Sequence, residues 1–333
     1  MSEPVLEIDG VSKRFVKELD MAERAARLVG SKVKAATVHA VDGVDLSVKK
    51  GEVMGLVGES GCGKSTLGRI VAGLLPPTEG QIRFRGKDVS KLTGEAAKDA
   101  ALKIQLIFQD PMSSLNPRFR VEEIVGEAPR VHAIVPRKEI GAYVEETLDR
   151  VGLDPSMRSR YPHQFSGGQR ARIGIARALA VKPDFIVCDE SVAALDVSIQ
   201  AQILNLFMRL REELDLTYLF ISHDLGVVEH ISDRIAVMYL GRLVELGDAQ
   251  ELFARPNHPY TQALIAEIPT FATERKIYAP IKGEIPSPLD PPAGCHFHPR
   301  CPHAFDRCRI ERPALKAIAP GRVSACHLND RAA

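Results

Sequence analysis

The segment Val53-Met54-Gly55-Leu56-Val57 runs without a break into Gly58-Glu59-Ser60-Gly61-Cys62-Gly63-Lys64-Ser65-Thr66, and a helix-forming stretch follows from about Ser65. Four free positions between Gly and Gly-Lys-Ser/Thr, set between an apolar strand and a helix, form the pattern of a phosphate-binding loop. Each residue type has a chemical reason. Glycines let backbone N–H groups turn toward phosphate oxygens with no Cβ in the way. The helix start adds unpaired donors and the positive end of its dipole. Lys64 supplies a point charge for β- and γ-phosphates, and the Ser65 hydroxyl is placed to ligate Mg²⁺. The plainer alternative, a tight glycine turn before an ordinary helix, is disfavoured because strand, loop and helix stand in the required order.

The rest of the chain fits around that unit. Strand signals at Val5–Ile8 and Val44–Val48 precede the loop, and strands and helices alternate beyond it to about Gly247. This predicts an α/β fold with a largely parallel central sheet. A charged stretch from Lys17 to Lys34 has Met21, Ala25 and Leu28 at helical spacing, which predicts a short inserted helix. From Arg255 onward Pro, His and Cys accumulate, and the prolines between Pro256 and Pro292 forbid long helices. That end reads as a small appended module on an irregular linker. A length of 333 residues suits roughly two such units.

Composition narrows the class. Apolar residues make up 45% and charged residues 26%, a balance that excludes disorder, collagen and a small disulfide scaffold. Lys plus Arg is 44 against Asp plus Glu at 43, so nothing demands nucleic acid or an anionic membrane as partner. Apolar runs such as Ile70–Leu75 and Phe185–Cys188 fall far short of the roughly 18 residues that span a bilayer. The start, Met1-Ser-Glu-Pro-Val-Leu-Glu, has no basic region followed by an apolar core. The expectation is a chain kept in the cytosol, held at a membrane only by other chains.

A nucleotide hydrolase needs carboxylates at the end of a neighbouring strand, and Phe185-Ile-Val-Cys-Asp189-Glu190 supplies two. Its four apolar residues fit a fully buried parallel strand. Asp189 would hold the Mg²⁺ shell through water, and Glu190 would orient or deprotonate the attacking water. Further on, Gln164-Phe-Ser166-Gly167-Gly168-Gln169-Arg170 precedes the helix-forming stretch Ala171–Ala180. A serine and two glycines at a helix start make a second anion site. A bland cap needs only the serine, and the glycine pair would cost the helix stability. Two phosphate-binding helix starts in one chain suggest that the second meets the γ-phosphate held by another subunit.

With these motifs in place, the chain resembles the nucleotide-binding subunit of an ATP-binding-cassette transporter. Ser166 to Gln169 matches that family's signature, with Phe165 where leucine is usual. The resemblance implies a phosphate-loop NTPase core over residues 1–252, carrying a helical subdomain at about 110–175, and a small Cys/Pro-rich C-terminal extension over 253–333. It also implies roles. Gln109, in Phe108-Gln-Asp-Pro111, would sense Mg²⁺ and couple to the membrane subunits. Asp196, in Ala194-Leu-Asp196, would touch the opposing phosphate site across a dimer. His223 lies 33 positions beyond Glu190, after a predicted apolar strand, and matches the histidine that contacts the γ-phosphate. Phe15 is the best match to the aromatic that stacks on adenine, with His39 as rival. Ser191 follows Glu190 where proline is common.

The branch is narrower still. Gln109-Asp-Pro-Met-Ser-Ser-Leu-Asn-Pro117 and His258-Pro-Tyr-Thr-Gln-Ala-Leu264 look like the importer ATPases for oligopeptides, dipeptides and nickel. So does the tail Gly294-Cys-His-Phe-His-Pro-Arg-Cys301-Pro-His-Ala-Phe-Asp-Arg-Cys308, closed by Cys326, and similar tails hold a [4Fe–4S] cluster. By spacing alone, Cys295, Cys301, Cys308 and Cys326 have gaps of five, six and 17 residues, which suit either zinc or an iron–sulfur cube. Close Cys-x₂₋₄-Cys knuckles are absent, disulfides are disfavoured in a reducing compartment, and unligated thiols stay open. Cys62 and Cys188 read as small buried fillers.

The reading is an ATPase at the cytoplasmic face of the inner membrane that energises peptide import, with nickel, opines or oligosaccharides as alternative cargo. It would use ATP and Mg²⁺, two transmembrane permease subunits, a second and by family habit paralogous ATPase subunit, and indirectly a periplasmic or extracellular substrate-binding protein. No nucleic acid is expected. Each composite site would join Lys64, Ser65, Asp189, Glu190, Gln109 and His223 of one subunit to Ser166, Gly168 and Gln169 of the other. A soluble mechanical ATPase is the rival. Repair ATPases place a long coiled coil between phosphate loop and signature, whereas Lys64 and Ser166 lie 102 positions apart. Translation types carry two cassettes per chain, and here there is one.

Overall fold

A computed structural model describes residues 4–16, 36–110, 114–268, 281 and 283–330, so the helix expected within Lys17–Lys34 lies outside the described residues. Along the chain come β1 (Pro4–Val16), β2 (Thr37–Lys49), β3 (Val53–Val57), α1 (Lys64–Val71), β4 (Glu79–Phe84), β5 (Lys87–Asp88), α2 (Gly94–Lys103) and β6 (Ile104–Ile107). Three helices follow, α3 (Val121–Val131), α4 (Ile140–Arg150) and α5 (Gly167–Leu179). Then come β7 (Phe185–Asp189), α6 (Val197–Leu214), β8 (Thr217–Ile221), α7 (Leu225–Ile231), β9 (Arg234–Tyr239) and β10 (Arg242–Asp248). The tail adds α8 (Ala249–Ala254), α9 (Pro259–Ala266), α10 (Asp306–Ile310), β11 (Lys316–Ala319) and β12 (Arg322–Ser324).

Two sheets carry the fold. The smaller one has the order β2-β1-β4-β5 and is antiparallel throughout. The larger has eight strands in the order β11-β12-β10-β9-β3-β8-β7-β6, with β9, β3, β8, β7 and β6 parallel. Strands β3, β7 and β8 are buried at every position, which is why they read as unbroken apolar runs. Alternate residues face opposite layers. Met54, Leu56, Phe185, Val187, Leu219 and Ile221 pack with Leu67 and Ile70 of α1 and with the small sheet. Val53, Val57, Ile186, Cys188, Tyr218 and Phe220 pack with helices that include α5 and α6.

This topology fixes where chemistry is possible. Because β3, β7 and β8 are parallel neighbours, the phosphate loop, Asp189-Glu190 and Ser222-His223 all leave the same edge of the sheet. Ligands of open α/β sheets bind at that carboxyl edge.

The tail does more than hang from a linker. β12 pairs with β10, Glu245 against Ser324 and Leu246 against Val323, and β11 closes the sheet on β12. Glu245 beneath this seam is fully buried. It accepts the N–H groups of Asn257 (2.9 Å) and His258 (2.8 Å) and an Arg322 guanidinium N–H (3.2 Å), the partners a buried carboxylate requires. Among the described residues no helix is long and apolar enough to cross a membrane.

Candidate active site

The phosphate loop leaves β3 through two backbone positions that only glycine tolerates. Gly58 has φ +151° and Gly63 φ +109°. A Cβ at Gly58 would stand 2.1 Å from the Met238 carbonyl oxygen, and one at Gly63 2.1 Å from that of Ala40. Gly63 is also the N-cap of α1, so the first N–H groups of that helix face the loop's concave side. Lys64 is almost wholly buried and its ammonium donates to the carbonyls of Gly58 (2.7 Å) and Glu59 (3.0 Å). The Cys62 thiol lies under the loop, 3.9 Å from that ammonium, and burial pushes its pKa up, so it stays a protonated filler.

Asp189 and Glu190, adjacent in sequence, stand in different surroundings. Asp189 ends β7 inside the protein and accepts a 2.7 Å hydrogen bond from Ser65 Oγ. Burial raises its carboxyl above the usual carboxylate range, the Ser65 bond opposes that shift, and the adjacent Glu190 adds to it. A cation at Ser65 and Asp189 would relieve this desolvation, so the pair fits Mg²⁺.

Glu190 has φ +48°, a left-handed backbone that costs a non-glycine residue about 1–3 kcal/mol. Its N–H is tied to the Ile221 carbonyl at 3.0 Å, which holds the strained turn in place. The carboxylate then meets two side chains. Gln109 Nε2 donates to Oε2 at 2.6 Å, and His223 Nδ1 stands 3.4 Å from Oε1. A residue from the end of β6, one from the end of β7 and one from the end of β8 thus converge on one carboxylate.

Gln109 and Glu190 border a groove of about 350 Å³ that Ser60, Gly61, Gly63, Lys64, Ser65, Thr66 and Phe15 also line, while Asp189 and His223 stand outside its lining. The Phe15 ring is exposed on its outer face, as a stacking platform requires, and Lys13 Nζ lies 5.3 Å from its centroid. His39, the rival to Phe15, does not line the groove. Three other residues do, Val38, Ala40 and Pro288, and none of them stands in a motif that marks it. Pro288 belongs to the tail, and its carbonyl accepts the His39 N–H at 2.9 Å.

Ser166, Gly167, Gly168, Gln169 and Asp196 do not line this groove. Ser166 caps α5 in a reciprocal box: Gln169 N–H donates to Ser166 Oγ (3.3 Å) and Ser166 N–H to Gln169 Oε1 (3.0 Å). Gly168 has a packing reason as well, since a Cβ there would come within 2.5 Å of Ile199 Cγ2 on α6. Its presence alone is therefore no proof of an anion site. Asp196 begins α6 with no side-chain cap bond.

The four tail cysteines lie together. Cys295 N–H donates to the Cys308 carbonyl at 2.9 Å, and the Cys295 thiol interacts electrostatically with those of Cys308, Cys326 and Cys301. All four are unpaired thiols, and burial pushes Cys295 and Cys326 up to about 11. Among the described residues no three His, Cys, Asp or Glu side chains stand close enough to hold a metal ion.

Comparison with known proteins places the chain. Residues 41–193 match the family model described as ABC transporter, and residues 244–308 match the one described as oligopeptide/dipeptide transporter, C-terminal region. The chain is 51% identical over 330 residues to the oligopeptide transport ATP-binding protein AppF of Bacillus subtilis, covering 98% of both chains. It is 47% identical over 334 residues to the probable peptide ABC transporter ATP-binding protein y4tS of Sinorhizobium fredii, covering 100% of this chain and 92% of that one. Among solved structures, cbiO1 from Clostridium perfringens, part of the ABC transporter complex cbiONQ, superposes with a TM-score of 0.62 at 27% identity over 76% of this chain and 92% of its own. The dimeric ATP-binding cassette MJ0796 bound to ADP and Pi superposes with a TM-score of 0.61 at 27% identity, over 73% of this chain and 98% of its own.

Proposed function

This chain belongs to the ABC transporter family as one of its ATP-hydrolysing subunits, and from that premise we propose that it powers the import of peptides through partner permeases. The observation that carries the site is the convergence of Gln109, Glu190 and His223 beside the Lys64 loop. The peptide cargo rests on end-to-end likeness to relatives named for oligopeptides or peptides and on the matching C-terminal region.

In the proposed mechanism Gly58 to Thr66 wrap the phosphates, and Lys64 neutralises charge between the β- and γ-positions. Ser65 and Asp189 are the residues that would hold Mg²⁺, and the ion would supply electrostatic stabilisation of the transferring phosphoryl group. Glu190 Oε takes the proton of the attacking water. Gln109 and His223 fix that carboxylate from two sides, and His223 contacts the γ-phosphate. Phe15 stacks on the adenine. Ser166, Gly167, Gly168, Gln169 and Asp196 act on the site of a second ATPase subunit, which is why they stand apart from their own groove. Dimer closure is then the work step.

Residues 1–252 form the catalytic unit, 110–175 its helical arm and 253–333 the extension. The assembly would include two permease subunits, a second ATPase chain and, on the far side of the membrane, a substrate-binding protein, which puts this chain at the cytoplasmic face. Cys295, Cys301, Cys308 and Cys326 are the residues that would hold a [4Fe–4S] cluster, and such a cluster would staple a proline-rich segment too small for its own core.

Reconstitution tests the reading. The chain, its permeases, the second ATPase and the binding protein in liposomes should show ATPase activity stimulated by a mixed peptide pool, with uptake of label. ATPase activity that no peptide pool stimulates would remove peptides as cargo.

A further inference from the structure

Two tail segments, His258-Pro-Tyr260 and His298-Pro-Arg300, have no part in the chemistry above. The fold brings one residue of each onto the same residue of the phosphate loop. Tyr260 Oη accepts the Glu59 N–H at 2.8 Å. The Arg300 guanidinium grips the Glu59 carboxylate with both ends, Nη1 to Oε2 at 2.7 Å and Nη2 to Oε1 at 2.9 Å. The Arg300 side chain is only 5% exposed and that of Glu59 21%. Bidentate geometry in such a setting makes a strong, directional contact.

Its seat is rigid. Arg300 lies over the Tyr239 ring, 5.9 Å from the centroid, and Tyr239, Tyr260 and Phe297 pack against one another with centroids 4.7 to 5.3 Å apart. All three rings are fully buried.

Glu59 is thus held at three points. Its N–H goes to Tyr260, its carboxylate to Arg300, and its carbonyl to the Lys64 ammonium at 3.0 Å. The Glu59 N–H shares one planar peptide with the Gly58 carbonyl, so the Tyr260 bond keeps that carbonyl, which accepts the Lys64 ammonium at 2.7 Å, from rotating away, while the Arg300 grip holds Glu59 itself in place. We infer that Tyr260 and Arg300 are positioning residues for ATP binding: the tail locks the Gly58–Glu59 peptide and the Glu59 side chain, and so holds the carbonyls that seat Lys64 beside the phosphates. This rests on ATP being the loop's ligand. Loosening the lock makes the loop order itself on binding, and that cost falls on affinity, not on the chemical step.

The experiment uses the full chain in the assembled transporter. Tyr260→Phe removes one hydroxyl and should raise KM for ATP about threefold. Arg300→Met should raise it about tenfold, with kcat within twofold of wild type, and Arg300→Lys should recover part of the loss. Arg300→Met also strands the Glu59 charge, so the charge-free Glu59→Gln/Arg300→Met pair is measured beside it; it should melt near the wild type yet keep the raised KM. In the Glu190→Gln background, a fluorescent ATP analogue should show the same loss of affinity. A KM within twofold of wild type in both Arg300→Met and the double variant overturns the inference, as does a loss that falls on kcat alone. A wild-type complex that fails to hydrolyse ATP would instead sink the reading beneath it.

Discussion

Gln109 Nε2 donates to Glu190 Oε2 across 2.6 Å, joining the end of β6 to the end of β7 in front of the phosphate loop. The bond ties the carboxylate assigned as the base to the residue that opens the segment leading into the helical arm. Any rotation of that arm that moves Gln109 must therefore break or re-aim a contact to Glu190.

Glu190→Gln keeps the shape and both hydrogen-bonding positions but removes the proton acceptor. ATP binding should be retained while turnover in the assembled transporter falls by at least about 100-fold, the usual share of a general base. Phosphate release and nucleotide binding measured on the same preparation decide it. Turnover equal to wild type would remove Glu190 as the base.

Gly168 allows packing and catalysis to be separated. Gly168→Ala forces a Cβ against Ile199, so the melting temperature should drop. Ile199→Ala in the same chain removes the obstructing Cγ2 and should restore most of that drop. Turnover should nevertheless stay below about a tenth of wild type, because the helix start must remain bare for a partner's phosphate. Full recovery of turnover with stability would leave Gly168 a packing residue only.

Acid should destabilise the tail junction first. Burial holds His258 near a pKa of about 3 and His296 near about 4, against about 6.5 in an unfolded chain. Both rings are neutral in the fold and gain a proton only on unfolding. Their neutral burial is fully tolerated above pH 6.5, and stability is lost as pH falls from there toward 4, each ring adding a slope of about 1.4 kcal/mol per pH unit. His258 Nδ1 accepts the Tyr260 N–H, so His258→Asn can keep the cap while removing the titration. Its denaturation midpoint should vary less between pH 6.5 and 4.5 than that of the wild type.

The thiol quartet has a spectroscopic test independent of transport. Chain purified without oxygen should absorb near about 400 nm, the range of sulfur-to-iron charge transfer, and carry about four irons. Cys308→Ser should lose both signals. Colourless, iron-free protein from such a preparation would leave the four cysteines as bare thiols.

The local parts of this molecule were legible, and the reason is physical. A loop that cradles phosphate needs specific residues at consecutive positions, so Gly58 to Thr66 announced itself, and a buried parallel strand ending in acids did the same for Asp189 and Glu190. Pro288, Val38 and Ala40 were invisible because ordinary residues become groove walls only through pairings set by the whole fold. The left-handed backbone of Glu190 was hidden for a related reason, since it is imposed by the Ile221 carbonyl and by no local glycine. Among the described residues the tail's helices are short, as the proline spacing predicts. That spacing could not reveal that Arg322–Ser324 would find β10, because three residues of strand carry too little pattern to point to a partner.

That last pairing governs what happens if the chain is cut. A fragment ending near residue 250 would keep the Lys64 loop, Asp189 and Glu190 yet lose Pro288 from the groove and leave β10 without its β12 partner, an open template for another molecule. Truncation would yield clumping before it yielded a minimal enzyme, while the chain with its tail ends the sheet on the four-residue β11, a strand too short to offer much of a template.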